Sequence, residues 1–329
     1  MSFAFNLQNG DNRHIYLRDF QNAFPHFDIK AFEPINKGLS EDKKFCIETV
    51  CGKRMFLRVS DIGEYERKKA EYNMMERAYA HGVFTSQPLG FGFFGDKRSV
   101  YALSGWICGD DVETALVDMS FDERYHTGIK AGAVLRKIHS VPHFAISQNE
   151  ESWRERFFKK VQGRIDFYNS NNTIKSENGD IIIGYLKEKR YLLTGRPQTF
   201  CHGDYNISNL MLTPDGNIGV IDYNSYNLGY GDPWWEFAAL NWGSEPDTHY
   251  FTGLIDGYFA ISPPPEFFCM LRYYFAYDAL ASLCDTSVGN QGEPEEGRRH
   301  LDNIIRWFGG MKKCVPTWYN GLEFTESRP

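Results

Sequence analysis

The stretch from Cys201 to Glu236, CHGDYNISNLMLTPDGNIGVIDYNSYNLGYGDPWWE, constrains this chain more than any other. It reads as a strand end, a polar loop, a hairpin and a second acidic loop. Leu210 to Leu212 and Ile218 to Ile221 are short apolar runs on either side of Thr213-Pro214-Asp215-Gly216-Asn217. Proline followed by Asp-Gly between two such runs signals a hairpin, since these residues accept the backbone angles of a tight turn. The hairpin carries Asp222 back beside Asn209, so that both can reach one ion. Asp204, in the first loop, has four residues between it and Asn209. One carboxylate beside an attacking hydroxyl, with an amide and a second carboxylate on a metal that bridges nucleotide phosphates, is the set that phosphoryl transfer requires.

With His202 ahead of them, Asp204 and Asn209 also fit the H-x-D-x-x-x-x-N spacing of kinases. His-Gly-Asp alone recurs by chance. The ordered set of His202, Asp204, Asn209, a Pro-Asp-Gly turn, Ile-Asp and then Gly-Asp-Pro is specific. On these residues the sequence resembles the aminoglycoside phosphotransferase and choline kinase superfamily, small-molecule kinases with a protein-kinase-like fold. The resemblance runs from about Phe32 to Trp307 and is densest from His202 to Ala238. It implies an α+β, two-lobed fold. A small β-rich nucleotide-binding lobe is expected over residues 1–106. A larger, mostly helical catalytic and substrate lobe is expected over 107–329, the two closely joined at about residues 105 to 112.

Composition narrows the setting. A chain of 329 residues with 42% apolar residues can bury a substantial core. There is no basic stretch followed by an apolar run at the start and no apolar run long enough to span a bilayer, so a cytoplasmic protein is expected. Seven scattered cysteines without a C-x-x-C pair read as reduced, structural thiols, and the nine histidines show no metal-ligand spacing. From Tyr230 to Pro329 there are 14 acidic and 7 basic residues, which accounts for the whole net charge of −7. Such a segment disfavours nucleic acid and anionic membranes as partners. It suits either simple solubility or a cationic small molecule.

In chain order, residues 1 to about 31 read as a wrap around the first lobe. Phe45 to Val50, a Cys51-Gly52-Lys53 turn and Met55 to Val59 read as a hairpin. Asn36 to Ser40 reads as the turn of another, and Gly38 and Ser40 there stand where the resembled family covers nucleotide phosphates. Arg58 takes the place of that family's strand cation on phosphate, as a guanidinium can. Glu64 to Ala80 reads as a helix, and Glu71 matches the acid that pairs with the strand cation, although Glu66 and Glu76 lie near. Val83 to Phe94 and Ser99 to Ile107 read as strands. The resemblance makes the second one the hinge, with Ser104, Trp106 and Ile107 beside the purine, or Trp106 in core. Helices are expected over Phe121 to His139, twice within Ser152 to Arg190 around a polar loop, and over Phe251 to Ile261, Pro265 to Cys284 and Glu295 to Phe308.

The resemblance implies roles. Asp204 orients and deprotonates the acceptor hydroxyl, Asn209 and Asp222 ligate Mg²⁺, and His202 braces the loop. Asp232 buttresses it. Trp234, Trp235, Glu236, Glu266 and Asp278 are the candidate substrate groups, acids for ammonium groups and rings for a quaternary ammonium. The expected activity is transfer of the γ-phosphoryl group of ATP or GTP to a hydroxyl of a small, cationic, aminoglycoside-like molecule. A choline, sugar or amino-alcohol kinase is the alternative enzyme. A nucleotide-binding pseudokinase acting as an interaction module is the rival from another class. A protein kinase is disfavoured, because no Asp-Phe-Gly to Ala-Pro-Glu segment follows Asp222.

Overall fold

A computed structural model of the chain describes residues 13–37, 40–94, 97–142, 151–225, 230–241, 247–288 and 293–321. The chain divides into two compact units, Met1–Cys108 and Gly109–Pro329.

The first unit opens on α1 (Arg13–Ala23), followed by β1 (Ile29–Pro34), β2 (Lys43–Thr49) and β3 (Arg54–Asp61). Next come α2 (Tyr65–Ala80), β4 (Pro88–Phe94) and β5 (Ser99–Gly105). The five strands form one antiparallel sheet in the order β1-β2-β3-β5-β4. Alternation is clean where the sequence alternates. Phe45 and Ile47 on β2, with Met55, Leu57 and Val59 on β3, all face the core, and Phe45 pairs with Leu57 in register. Arg58 therefore projects from the other face. The hairpin expected at Cys51-Gly52-Lys53 is present, with Gly52 in the left-handed region at φ 84°. α1, which the sequence reading described only as a wrap, lays Phe20 wholly inside the sheet core, with Tyr16, Leu17 and Phe24 packed around it. Strand β4 begins at Pro88 rather than at Val83.

In the second unit, β6 (Asp110–Asp111) and α3 (Val112–Ala115) precede α4 (Phe121–His139), α5 (Trp153–Ser170) and α6 (Glu177–Glu188). Then come the short strands β7 (Thr199–Phe200), β8 (Leu210–Leu212), β9 (Ile218–Val220) and β10 (Tyr230–Gly231). The unit is completed by α7 (Thr248–Phe259), α8 (Pro265–Ser287) and α9 (Pro294–Trp307). α4 and α5 each start on a serine whose hydroxyl caps the third helical N–H while a glutamate returns the bond. Their starts therefore match the expected ones. α8 is buried on every side, with Phe267, Phe268, Tyr273, Tyr274, Phe275 and Tyr277 all in the core, which makes it the central post of the unit. Each such ring contributes on the order of 2 kcal/mol by leaving water.

α4 and α7 meet backbone to backbone. A Cβ on Gly128 or Gly132 would lie 2.1 Å from the Tyr250 or Leu254 carbonyl oxygen. One on Gly253 or Gly257 would lie 2.0 or 2.1 Å from that of Tyr125 or Ile129. No helix among the described residues is long and apolar enough to cross a membrane.

Candidate active site

The expected hairpin forms as β8 and β9, pairing Leu210 with Val220 and Leu212 with Ile218. Gly216 takes φ 76° at its turn. Just past β9 the Ile221 N–H donates to the Asn209 carbonyl at 3.0 Å. This bond sets Asp222 beside the loop that holds Asp204 and Asn209. Asp222 itself has φ 64°, a left-handed conformation that a non-glycine residue adopts at some cost, of order 1 kcal/mol or more. Its carboxylate is exposed.

Asp204 is held by two amides. Asn206 Nδ2 donates to Oδ1 at 2.8 Å and Asn209 Nδ2 to Oδ2 at 3.0 Å. Asn209 Nδ2 also reaches the Asp204 carbonyl at 2.9 Å, which leaves Oδ1 as the amide atom for a cation. Burial pushes the Asp204 pKa up and the Asp222 charge adds to it; the His202 imidazole and the two amide bonds oppose them and do not win. The donors are therefore all oxygen, and the two carboxylates are close enough to repel. A hard divalent cation relieves that repulsion and prefers such ligands, so the set fits Mg²⁺.

His202 is fully buried. Its Nε2–H donates to the Ile221 carbonyl at 2.8 Å and its Nδ1 accepts from the Asp204 N–H at 3.2 Å. With both nitrogens spent on backbone, the imidazole braces two loops. Gly203 sits at φ 88° and a Cβ there would lie 2.1 Å from the Asn224 carbonyl oxygen. Tyr205 anchors the loop from below, donating to the Ala131 carbonyl of α4 at 2.7 Å.

Glu236 requires a correction. It was expected among the substrate groups, but it is 2% exposed. Its Oε2 accepts the His202 N–H at 2.7 Å and its Oε1 the Gly203 N–H at 2.7 Å, while His139 Nε2 lies 3.2 Å from Oε2. Burial pushes its pKa up, but the hydrogen bond and charge of His139 outweigh this and hold the carboxyl below its ordinary value. Cys201 joins His139 and Glu236 in a buried trio. Its sulfur donates to the Thr199 and Gly231 carbonyls, and burial pushes its thiol well up. The trio is thus a hydrogen-bonded brace. Asp232 is likewise internal: it takes two bonds from Arg196 at 2.5 and 2.9 Å, one from the Tyr274 hydroxyl at 2.7 Å and one from the Trp234 N–H at 2.9 Å.

The other expected substrate groups divide. Asp278 is paired with His300 Nε2 at 3.0 Å, its side chain 14% exposed, so it is committed within the fold and is corrected as a free acid for a ligand. Glu266 is exposed in the first turn of α8. Trp234 carries the Arg196 guanidinium over its ring at 3.8 Å, which occupies one of the two faces open to a cation. Trp235, half-buried, packs against Trp153, Phe157, Tyr274 and Tyr277.

In the first unit, Arg58 Nε lies 3.8 Å from Asp42 Oδ2. Glu71 takes Arg67 at 2.9 Å and Lys68 at 3.3 Å. Lys68, 4% exposed, also donates to Asp42 at 2.6 Å. Burial pushes the Asp42 carboxyl up, but hydrogen bonds from Lys68 and Ser60, with the nearby cations, bring it below the ordinary range. Asp42 and Lys68 were missed because nothing in their local pattern marks either; they meet across 26 positions of sequence. Ser104 is buried on β5 opposite Phe56. The Trp106 N–H bonds the Arg54 carbonyl at 3.2 Å and its ring lies under the Arg54 guanidinium. Ile107 is half-buried and Ser40 exposed. Gly38 lies outside the described residues.

The sequence matches the profile of the phosphotransferase enzyme family over residues 31–271, well over half of the chain. No curated protein matches it. Among solved structures, the amicoumacin kinase hAmiN in complex with AMP-PNP, Ca²⁺ and Ami superposes with a TM-score of 0.61 at 11% identity, covering 96% of this chain and 98% of that one. The ADP-bound aminoglycoside phosphotransferase APH(2'')-Ib gives 0.60 at 14%, covering 89% and 96%. A choline/ethanolamine kinase family protein from Mesorhizobium loti gives 0.59 at 15%, covering 92% and 98%. At these identities the likeness shows the fold, a β-sheet lobe followed by a helical lobe.

Proposed function

This chain belongs to the phosphotransferase enzyme family, and we propose that it moves the γ-phosphoryl group of ATP or GTP to a hydroxyl of a small molecule. One observation carries the reading: Asp204, gripped by Asn206 and Asn209, stands within electrostatic reach of Asp222. Asp204 accepts the acceptor hydroxyl's hydrogen bond and takes its proton as the bond to phosphorus forms. In a loose transition state that proton moves late, so fixing the oxygen matters more than basicity. Asn209 Oδ1 and Asp222 would hold Mg²⁺, which would supply positive charge to the phosphates. Arg58 contacts nucleotide phosphate, and Glu71 with Asp42 fixes the cations Arg58 and Lys68 around it. Gly38 and Ser40 belong to the phosphate-covering turn, and Ser104, Trp106 and Ile107 to the purine hinge. The nucleotide complexes of hAmiN and APH(2'')-Ib, and the Ca²⁺ of the former, support nucleotide and divalent metal use.

For the acceptor, the aminoglycoside-like reading retains Glu266 as its exposed acid. For the choline-type reading, Arg196 already takes one face of Trp234. Intact Asp204, Asn209 and Asp222 weigh against a pseudokinase.

The test is nucleotide turnover with ATP and GTP, with and without Mg²⁺, over aminoglycoside, choline, sugar and hydroxy-acid acceptors. Acceptor-stimulated, Mg²⁺-dependent turnover that Asp204→Asn abolishes is expected. Turnover unchanged in Asp204→Asn would sink the assignment.

A further inference from the structure

The chain that follows α9 folds back over the second unit. Gly309, Gly310 and Met311 take left-handed backbone angles, with φ 54°, 68° and 65°, and turn it. Met311 is not a glycine, so this conformation holds only where contacts fix it. Arg272 of α8 supplies them. It is 7% exposed, and its Nη1 donates to the Met311 and Lys313 carbonyls, each at 2.9 Å. Its Nε donates to the Tyr185 hydroxyl at 2.9 Å. Farther on, the Thr317 N–H donates to the Trp307 carbonyl at 2.9 Å. The Tyr319 hydroxyl donates to Asp256 of α7 at 2.7 Å, and its ring packs on Phe268. Residues 309–319 are thus a strap pinned at both ends.

Two thiols meet on this strap. Cys314 Sγ lies 3.1 Å from the Sγ of Cys269 on α8, 45 positions earlier in the chain. Both residues are half-buried, so a small reagent can reach them. Cys201 and Cys284 differ: both are buried, and their sulfurs donate to backbone carbonyls. The Cys269 and Cys314 sulfurs need approach by only about 1 Å to reach bonding distance. Arg272 Nη2 donates to Cys314 Sγ at 3.5 Å, which puts positive charge where a thiolate forms. Burial, and then the Cys314 sulfur, push the Cys269 thiol up to about 11, with Arg272 opposing. Cys314 is therefore the sulfur that reacts first, and Cys269 the one that follows.

We propose that Cys269 and Cys314 form a thiol–disulfide modification site, oxidised by a small-molecule disulfide to a bond that ties the 309–319 strap to α8. The Cys314 thiolate attacks one sulfur of the small disulfide. A mixed disulfide forms, and one small thiolate leaves and takes up a proton. Cys269 then gives up its proton and attacks the Cys314 sulfur, which closes the protein S–S bond and releases the second small thiol. Two protein thiols lose two electrons in all, and one small disulfide is reduced to two thiols. An excess of small thiol runs both steps backwards. The bond joins residues 45 positions apart, so it restricts the unfolded chain and the linked form resists unfolding.

The experiment equilibrates the full native chain in mixtures of oxidised and reduced glutathione over a wide range of ratios. Free thiols are then blocked with iodoacetamide, and tryptic peptides are mapped by mass without reduction. A peptide pair joined through Cys269 and Cys314 is expected to grow in as the ratio rises and to vanish on return to excess reduced glutathione. Cys51 and Cys108, which are exposed, are expected to take up glutathione without joining. The linked chain is expected to unfold at a Tm higher by about 5 °C or more, a rise absent from Cys314→Ser in the same buffer. In Cys269→Ser the reaction is expected to halt with one glutathione on Cys314. The peptide map of the parent chain decides by itself, so a variant that fails to fold does not obscure the result. No Cys269–Cys314 pair at any ratio, or a pair formed only in urea, overturns the site. A linked chain that melts no higher than the reduced one overturns the claim that the native strap accepts the bond.

Discussion

Replacing Glu236 by glutamine tests whether one buried carboxylate holds the catalytic loop in place. The glutamate accepts three bonds, two of them from consecutive backbone N–H groups at 2.7 Å. Glutamine keeps the volume but offers a single oxygen. If that oxygen stays with Gly203, the amide nitrogen must face the His202 N–H, and one buried donor is left unsatisfied at roughly 1–3 kcal/mol. Loss of the negative charge also weakens the remaining bonds, which are about twice as strong when an ion takes part. A total near 2–4 kcal/mol follows, within the reserve of an ordinary domain. Urea unfolding at pH 7 should show a lower midpoint with unchanged slope, and kcat should fall while the nucleotide KM holds. Acid titration adds a signed check. The carboxyl pKa is lowered in the folded state, so its stabilisation is present above the unfolded value, about 4.3, and lost as pH falls through the folded one. Glu236→Gln should therefore lose less stability than the parent across that window. A Gln variant within about 0.5 kcal/mol of the parent, with kcat intact, would refute the bracing argument.

Asp204→Asn should separate function from stability. The folded pKa of Asp204 is raised, so its protonated form favours folding below the unfolded value and this advantage disappears as pH rises through the folded one. At pH 7 the neutral amide should be as stable as the parent or more so by thermal unfolding, with turnover down by on the order of 10²–10⁴. Gly203→Ala should do the reverse of a silent loop change. Its φ of 88° and a Cβ 2.1 Å from the Asn224 carbonyl predict a loss of about 2 kcal/mol or more in chemical unfolding, with kcat falling because the 202–204 and 222–224 segments must separate.

What could be read from the sequence was what short chain connectivity enforces. The Asp215-Gly216 turn is local, so Asp222 had to return beside Asn209, and Ile221 bonds Asn209 as that requires. Helix α4 was legible over Phe121–His139 because cap, periodicity and terminus agree. Glu236 was misplaced for the opposite reason. Its partners His202 and Gly203 lie 34 and 33 residues away, and a buried carboxylate just after two tryptophans has the same local pattern as a ligand-facing one. Asp278 with His300, and Lys68 with Asp42, escaped notice likewise. For α1 the sheet it packs on supplies the reason for its helix, through Tyr16, Phe20 and Phe24.

The reciprocal glycines of α4 and α7 limit how this enzyme can change. In an ordinary core a gained methyl can be offset by a smaller residue opposite. Here the atoms opposite each glycine are backbone, so no second substitution restores the fit, and the four positions are closed to compensated drift. The same α4 receives Tyr205 at Ala131 and presents His139 to Glu236. The loop that holds Asp204 therefore stands on a surface where an added methyl has no room. Change is easier between α5 and α8, where side chains such as Phe157, Tyr274 and Tyr277, not main chains, meet.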